Sequence, residues 1–219
     1  MVKNNKKLTT VLVIYSVIFY TVWAVYELLI APGIKKEINN DLFQVIDSVG
    51  VKSLVWALPA FLLIKKWGGE VSVPLKELFS LKRGWKVLLA VLVPMTAYIV
   101  FSAWKTQGAL KISGSVLLNV LIFLFVGLTE ESVFRGWLFN AAVNEENTTP
   151  AYAVNAAMFV MIHFPKWIAD GRFIANIPFG LIMIALLSVL FSWSFRKTRN
   201  LLVPVILHFW WDLLVTLLN

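Results

Sequence analysis

Residues 114–143 read GSVLLNVLIFLFVGLTEESVFRGWLFNAAV, an apolar stretch that is interrupted near its middle by charged residues. A helix needs about 20 apolar residues to cross a hydrocarbon core of roughly 30 Å, so this stretch is long enough to span a membrane. A charged side chain inside such a helix costs about 2.5–3.5 kcal/mol on insertion scales. We therefore expect Glu130, Glu131 and Arg135 to lie in a membrane helix and to have a function there.

Six further apolar segments flank this one, and the whole chain is 59% hydrophobic and 15% charged. An ordinary globular domain carries about 25% charged residues. The segments are continuous rather than alternating, which favours helices over the strands of an outer-membrane barrel. The predicted fold class is therefore all-α, a polytopic transmembrane helical bundle of about seven helices with a conical or cleft-like intramembrane site. The predicted segments are 8–30, 42–64, 86–104, 114–143, 150–164, 173–195 and 200–218.

We divide the chain into residues 1–113, with three spans, and residues 114–219, with four spans, within one integral membrane domain. Cysteine is absent, which excludes disulfides, zinc–thiolate sites and a cysteine nucleophile. The net charge is +8, but the basic residues lie at the ends of apolar segments, where they suit lipid headgroups. The lipid bilayer is therefore the expected partner, and nucleic acid is not.

The lysines and arginines between the segments set the expected orientation. If the N-terminus lies in the cytoplasm, twelve basic residues lie on the cytoplasmic side and six on the other side. This asymmetry favours a cytoplasmic N-terminus, a C-terminus outside, and a multi-pass protein of the cell membrane. The first apolar segment is long for the core of a signal peptide, so we expect it to be retained as a helix.

Helical geometry separates the charged residues of the central segment. Glu131 and Arg135 are four residues apart with the acid first, the favourable order for an ion pair. Glu130 lies about 100° around the helix from Glu131, so both carboxylates cannot use Arg135 equally. We expect Arg135 to neutralise Glu131 and to leave Glu130 as the freer carboxylate, available as a base.

Two other segments carry ionisable residues at similar depth. His163 lies in segment 150–164, with Phe159 one turn earlier on the same helical face. His208 and Asp212 are four apart in segment 200–218, and an aspartate at that spacing can orient an imidazole. Three separate helices thus predict one polar site within the membrane, beside which Phe159 helps to exclude water.

Other interpretations of the same residues stay open at this point. A Glu–Arg pair at helical spacing can simply tie helices together, and a membrane histidine can be a packing residue. Glu130, His163 and His208 could converge on zinc, although no His-Glu-x-x-His sequence is present. Haem held by two histidines is conceivable, whereas a serine triad is disfavoured because nothing places Ser132 beside a histidine.

In these residues the sequence resembles the CAAX protease and bacteriocin-processing family of intramembrane peptidases, also called CPBP or Abi. The family's Glu-Glu-x-x-x-Arg is found at residues 130–135, its Phe-x-x-x-His at 159–163 and its His-x-x-x-Asn/Asp at 208–212. The resemblance covers about residues 114–218, which would then form the catalytic core. Asp212 stands where the eukaryotic prenyl-protein members have asparagine.

The resemblance implies an intramembrane endopeptidase similar to CAAX prenyl proteases, a glutamate-dependent hydrolase that has long been described as a metalloprotease. By analogy, Glu130 and His163 bind and activate water, while His208 and Asp212 polarise the scissile carbonyl or stabilise its oxyanion. We favour a mechanism that requires no cofactor, with zinc on the three ligands given above as the alternative. The supporting residues are Glu131, Arg135 and Phe159.

The expected substrate is a peptide or a segment of a membrane protein, cleaved at a site that faces the cytoplasm. The short chain without soluble extensions is typical of bacterial members, some of which are linked to bacteriocin maturation or self-immunity. One alternative is a non-catalytic protein of the same architecture, such as an immunity factor that acts by binding. A transporter is a weaker alternative, because no paired broken helices occur in two matching halves. The sequence leaves the oligomeric state open.

Overall fold

The computed structural model describes residues 6–112 and 114–218, and within them it contains helices and short connections but no β-strand. The seven predicted segments form the seven main helices, so the prediction of an all-α polytopic bundle is confirmed. Lys3, which entered the charge count, lies outside the described residues. The helices are α1 Lys6–Glu37, α2 Asn40–Lys66, α3 Trp85–Gln107, α4 Val116–Ala142, α5 Thr148–Met161, α6 Phe173–Thr198 and α7 Leu202–Leu218.

Five of these helices, α1 to α4 and α6, are long and apolar enough to cross a membrane, and α7 is a shorter apolar helix. The described chain is thus a multi-pass membrane protein by the length and composition of its helices. Helix α5 has 14 residues and is only about 21 Å long, less than the hydrocarbon thickness. A turn at His163 and a second short helix, Phe164–Ala169, continue the chain beyond it.

The predicted end of the first segment at residue 30 is wrong, because α1 continues through Pro32 to Glu37. A π-helical turn at Tyr26–Ile30 precedes the proline. Proline has no N–H to donate to the helix. The wider π-helical turn rearranges the backbone hydrogen bonds at this point, so the helix continues beyond Pro32. By contrast, α2 begins where expected, since the Asn39 side chain accepts a hydrogen bond from the Leu42 amide.

The connections fall on two faces of the bundle. On the N-terminal face, residues 67–84, 143–147 and 199–201 meet, since the Ser72 hydroxyl donates to the Val143 carbonyl at 3.1 Å and Arg199 donates to the Ser72 carbonyl at 2.6 Å. On the opposite face, formed by residues 38–39, 108–112 and 162–172, Lys35 pairs with Asp170 at 3.5 Å. The end of α7 lies there too, where Gln107 donates to the Leu218 carbonyl at 2.6 Å. The start of the first helix and the end of the last one therefore lie on different faces.

Helix α4 packs against α7 through Gly127. A Cβ atom at this position would lie 2.9 Å from the Val205 carbonyl oxygen and 3.2 Å from the Phe209 nitrogen. Only glycine permits this close approach of the two backbones. The contact lies one turn before Glu130 and Glu131, and it brings them to the level of His208.

An aromatic cluster fills the space between α1, α2 and α4. The Trp56 ring lies 4.6 Å from Trp23 and 4.9 Å from Phe19, measured between ring centroids, in edge-to-face geometry. Phe134 packs against the same cluster. Contacts of this kind contribute beyond the apolar area that they bury. The cluster fixes α1 and α2 against the site-bearing helix α4.

Candidate active site

The adjacent glutamates of α4 are both buried, and they point to different surroundings. Glu130 is 5% exposed and Glu131 is fully buried. A π-helical segment, Ser132–Phe139, follows directly and carries Arg135. Such segments are frequent at functional sites, where they re-aim side chains. The roughly 100° rotation between neighbouring residues separates the two carboxylates, as the sequence predicted.

Glu131 forms the predicted ion pair, with its Oε1 atom 2.9 Å from Arg135 Nη1. The same oxygen lies 2.8 Å from His208 Nδ1. One carboxylate oxygen therefore joins α4 to α7 and neutralises the arginine. Its second oxygen, Oε2, has no hydrogen-bond partner among the described residues.

Arg135 is fully buried and ties α4 to α6. Its guanidinium donates to the Ser188 carbonyl at 2.9 Å, to the Ser188 hydroxyl at 2.7 Å and to the Ser192 hydroxyl at 3.3 Å. The Phe159 ring lies below the guanidinium, with its centroid 4.4 Å from the central carbon. Phe159 also contacts the His163 and His208 rings, so it packs beside the site as predicted.

The His208 ring is held between carboxylates. Its Nε2 atom lies 3.3 Å from Asp212 Oδ2 and 3.9 Å from Glu130 Oε2, while Nδ1 faces Glu131. Two acceptors at the two nitrogens call for two N–H donors, which only the imidazolium form supplies. The predicted His208–Asp212 pair is present, and His208 also bridges Glu131 and Asp212.

Glu130 is not the free carboxylate that we expected. Lys52 Nζ, on α2, lies 2.8 Å from its Oε1 atom in an ion pair with both side chains nearly buried. Lys52 is not among the site residues that were predicted from the sequence. The signal was present, because Lys52 is an ionisable residue in the middle of an apolar segment, the criterion that selected Glu130 itself.

The Lys52 ammonium has aromatic neighbours as well. It lies 4.9 Å from the centroid of the Trp56 ring and 5.5 Å from that of Trp23. A cation over an indole face is stabilised by the ring quadrupole, more strongly where water is excluded. Lys52 is therefore held in place by a carboxylate and two rings.

A cavity of about 270 Å³ adjoins the Glu130–Lys52 pair. His163 and Asp212 line it as well, whereas His208 does not belong to its wall. Three of the four predicted catalytic residues thus share one cavity, with Lys52 as a fourth lining group. His208 lies behind them, with its Nε2 atom 3.9 Å from Glu130.

The cavity runs from Glu130 towards the opposite face of the bundle. Gln44, Lys166 and Thr216, which lie near that end of their helices, line its outer part. The N-terminal face lies at the other end of the bundle. A cytoplasmic N-terminus and a site that faces the cytoplasm therefore exclude each other, although both were predicted from the sequence.

His163 follows the end of α5, and its ring is oriented by the backbone. Nδ1 lies 2.9 Å from the Phe159 carbonyl oxygen, which can only accept, so Nδ1 carries the proton in the neutral ring. Nε2 then has a free lone pair. Trp23 of α1 secures the turn by donating to the Ile162 carbonyl at 3.0 Å. His163 can thus accept a proton or orient water in the cavity.

The predicted zinc ligands do not fit a metal ion in this arrangement. Glu130 already pairs with the Lys52 ammonium, and both nitrogens of His208 face carboxylates. A metal ion needs a lone pair on the histidine nitrogen that binds it, and His208 offers none in this arrangement. The Lys52 ammonium would also repel a metal cation beside Glu130. Over residues 6–112 and 114–218, no group of three or more histidine, aspartate or glutamate side chains is arranged to hold a metal.

The fold and the buried polar site together define a polytopic membrane protein with an intramembrane site. Residues 112–214 match the family model described as type II CAAX prenyl endopeptidase Rce1-like. This match supports the resemblance to the CAAX protease family that the three motifs predicted, and that family implies protease activity in general. No curated protein and no solved structure matches the chain. The family match begins near the proposed division at residues 113 and 114, which stays a prediction.

Proposed function

We propose that the protein is an intramembrane endopeptidase that hydrolyses a peptide bond of a membrane-associated protein or peptide. The observation that supports this most directly is the meeting of Glu130 and His163 in one cavity among membrane helices. Each has an atom available for water. Glu130 Oε2 lies 3.9 Å from His208, too far for a good hydrogen bond, and His163 Nε2 is the free ring nitrogen.

In this proposal, Glu130 takes a proton from a water molecule that His163 orients. The water oxygen forms a bond to the carbonyl carbon, the carbon–nitrogen bond then breaks, and Glu130 returns the proton to the leaving amine. General acid–base catalysis of this kind contributes about 10²–10⁴-fold in rate. Glu131, Arg135 and His208 hold α4, α6 and α7 in register around the reacting groups.

The substrate class follows from the position of the cavity. Its wall combines apolar and aromatic side chains, Trp23, Phe43, Trp56 and Ile122 among them, with polar and charged ones. Such a mixed wall suits a peptide segment whose apolar side chains lie in the bilayer while its backbone meets polar groups. We propose a bacterial peptide or membrane-protein segment, the bilayer as partner, and no requirement for a cofactor. Prenylation of the substrate and a role in bacteriocin immunity stay open within this proposal.

We propose further that the N-terminus is cytoplasmic and that the cavity opens towards the other side of the membrane. The basic residues support this orientation, because they are concentrated on the N-terminal face. Since the chain has no cysteine, single cysteines at exposed Glu146 and Lys36 can be labelled in intact cells with a membrane-impermeant maleimide. Labelling of Lys36→Cys alone supports the orientation. Labelling of Glu146→Cys alone reverses it and restores a site that faces the cytoplasm.

Cleavage by the purified protein tests the enzymatic proposal. The protein in proteoliposomes should cleave members of a library of quenched-fluorescence peptides with apolar sequences. Glu130→Gln should abolish this cleavage, while Glu37→Gln, an exposed acid on the opposite face, should retain it. Equal cleavage by wild type and Glu130→Gln would remove Glu130 from the chemistry.

The Lys52–Glu130 ion pair is the observation that favours a non-catalytic alternative, because it occupies one oxygen of the candidate base. A binding or immunity protein needs no free base. Such a protein would retain its protective effect in cells when Glu130→Gln is introduced, and the purified wild type would cleave no peptide in the library. A peptidase would lose both cleavage and any cellular effect with the same substitution.

A further inference from the structure

We propose that Lys52 is a further catalytic residue, whose ammonium binds the oxygen of the scissile carbonyl and stabilises the oxyanion that forms there. This inference rests on the proposed peptidase function. It gives Lys52 the task that the family resemblance assigns to His208 and Asp212. The deciding feature is which hydrogen-bond donors face the cavity.

Lys52 has unused donors in the right place. An ammonium carries three N–H groups, and Glu130 Oε1 is the one hydrogen-bond partner of the Lys52 ammonium found in the described part of the chain. The side chain is 10% exposed, and Lys52 is part of the cavity wall. The Trp23 and Trp56 rings cover the ammonium without accepting conventional hydrogen bonds. Two N–H groups are therefore left for a ligand in the cavity.

His208 is poorly placed for the same task. Both of its nitrogens face carboxylate oxygens, at 2.8 Å from Glu131 and 3.3 Å from Asp212. It is not among the residues that line the cavity. His208 can therefore bind a carbonyl oxygen only if its contact with Glu131 or with Asp212 breaks. His208 is better understood as a positioning residue that holds Glu131 and Asp212.

The neighbourhood of Lys52 and Glu130 fits the chemistry of peptide hydrolysis. Attack by water forms a bond to the carbonyl carbon, moves one proton to Glu130, and leaves a negative charge on the carbonyl oxygen. The ammonium is nearly buried and held by Glu130, so it offsets that charge without reorganising. Collapse of the intermediate breaks the carbon–nitrogen bond, and the proton passes from Glu130 to the amine.

Lys52 also neutralises the charge of Glu130, so the experiments must distinguish a role in binding the oxyanion from a purely structural role. The first test compares Lys52→Met, Lys52→Arg and the exposed Lys36→Met in proteoliposomes, using a peptide that wild type cleaves. Removal of one oxyanion donor costs about 10²–10³-fold in kcat. We expect that loss for Lys52→Met, with KM within about threefold of wild type, because the contact forms fully only in the transition state. Lys52→Arg should retain more turnover, and Lys36→Met should behave as wild type.

Rescue by a small amine covers the case in which Lys52→Met does not fold. Lys52→Ala leaves a space beside the cavity that propylammonium can enter, and 10–50 mM is on the order needed for a weakly bound fragment. The inference is supported if propylammonium restores kcat in Lys52→Ala but not in Glu130→Gln. It is overturned if the amine raises the melting temperature of Lys52→Ala and leaves turnover unchanged.

The failures of the two proposals are distinguishable. If wild type cleaves no peptide, the peptidase proposal fails and the role of Lys52 fails with it. If wild type is active and folded Lys52→Met keeps kcat within about threefold, far from the effect of a lost oxyanion donor, only the inference about Lys52 is overturned. Lys52 is then a counter-charge for Glu130.

Discussion

Glu130 and Glu131 are neighbours in the chain, yet they belong to two different regions of the molecule. The cavity side, formed by Glu130, Lys52 and His163, adjoins a space of about 270 Å³. The sealed side, formed by Glu131, Arg135, Ser188 and Ser192, has side chains that are at most 1% exposed. Both regions lie at the same depth and use the same types of charged residue.

The cations and the histidine of the two regions differ in how many of their donors and acceptors already have a hydrogen-bond partner. On the sealed side, the Arg135 guanidinium contacts a carboxylate, two serine hydroxyls and a backbone carbonyl. On the cavity side, Lys52 and His163 each keep capacity for a further hydrogen bond. Every nitrogen of the Arg135 guanidinium has a partner, although Glu131 Oε2 has none, and a buried cation held in this way rigidifies the bundle. Donors and acceptors left free beside a cavity can instead bind and transform a ligand. Substitutions on the two sides should therefore separate activity from stability.

After Glu130→Gln, the largest effect on turnover is expected from His163→Phe, which also lies on the cavity side. This change keeps an aromatic ring against Phe159 but removes the nitrogen that orients water. We expect kcat to fall by about 10²–10⁴-fold, the usual contribution of an acid–base group, with little change in melting temperature. Single-turnover cleavage and thermal melting in detergent measure the two quantities. The exposed neighbour Met161→Leu serves as the control, and turnover by His163→Phe equal to that of wild type would contradict the prediction.

Glu131→Gln on the sealed side should act mainly on stability. It leaves the Arg135 guanidinium without its counter-charge in a fully buried position. Breaking a buried ion pair costs about 3–5 kcal/mol. Thermal melting should show a large destabilisation and a low yield, with activity lost in proportion to folded protein. A fully stable but inactive Glu131→Gln would instead assign the chemistry to Glu131, and the roles of the two glutamates would be reversed.

The sealed side was largely predictable from the sequence. The four-residue spacing of Glu131 and Arg135 predicts an ion pair within one helix, and the pair is present at 2.9 Å. The same reasoning found the His208–Asp212 contact and the place of Phe159 beside His163. Each of these depends on one helix alone, where residue spacing fixes geometry.

The contacts between helices were not predictable in this way. The Lys52–Glu130 pair joins residues that are 78 positions apart, and His208 meets Glu131 across 77 positions. No periodicity within a segment relates such residues. The candidates could be recognised only because each is an ionisable residue deep within an apolar segment. Lys52 has the same property in segment 42–64. The conflict between a cytoplasmic N-terminus and a site that faces the cytoplasm also appeared only when the cavity was located.

Gly127→Ala should disturb both sides at once, because it acts on the contact between α4 and α7. The new Cβ atom would lie 2.9 Å from the Val205 carbonyl oxygen, so the two helices must move apart. Overpacking of this kind costs about 1–3 kcal/mol, and it should also lengthen the contact between His208 and Glu131. Thermal melting and cleavage should fall together. Gly50→Ala, where the added atom meets nothing within 4 Å, is the matched control and should leave both unchanged.

The smallest predicted effect tests whether the sealed side is purely structural, and it uses two buried serines of α6. The Ser188 hydroxyl accepts a hydrogen bond from Arg135 at 2.7 Å, whereas the Ser194 hydroxyl donates to the Phe191 carbonyl of its own helix at 2.8 Å. Ser188→Ala removes one contact to a buried charge but leaves the Ser188 carbonyl as a partner of the same nitrogen.

We therefore expect Ser188→Ala to lower the free energy of unfolding by about 1.5 kcal/mol, the lower end of the range for a hydrogen bond to a charged group. Ser194→Ala should have almost no effect, because the helix carbonyl that it releases is still bonded within the backbone. Neither change should alter kcat per folded molecule, since both serines lie away from the cavity wall. Thermal melting together with active-site titration gives both quantities. A drop in kcat for Ser188→Ala at unchanged stability would mean that Arg135 acts on the reacting groups through Glu131, and the separation of the two sides would then be wrong.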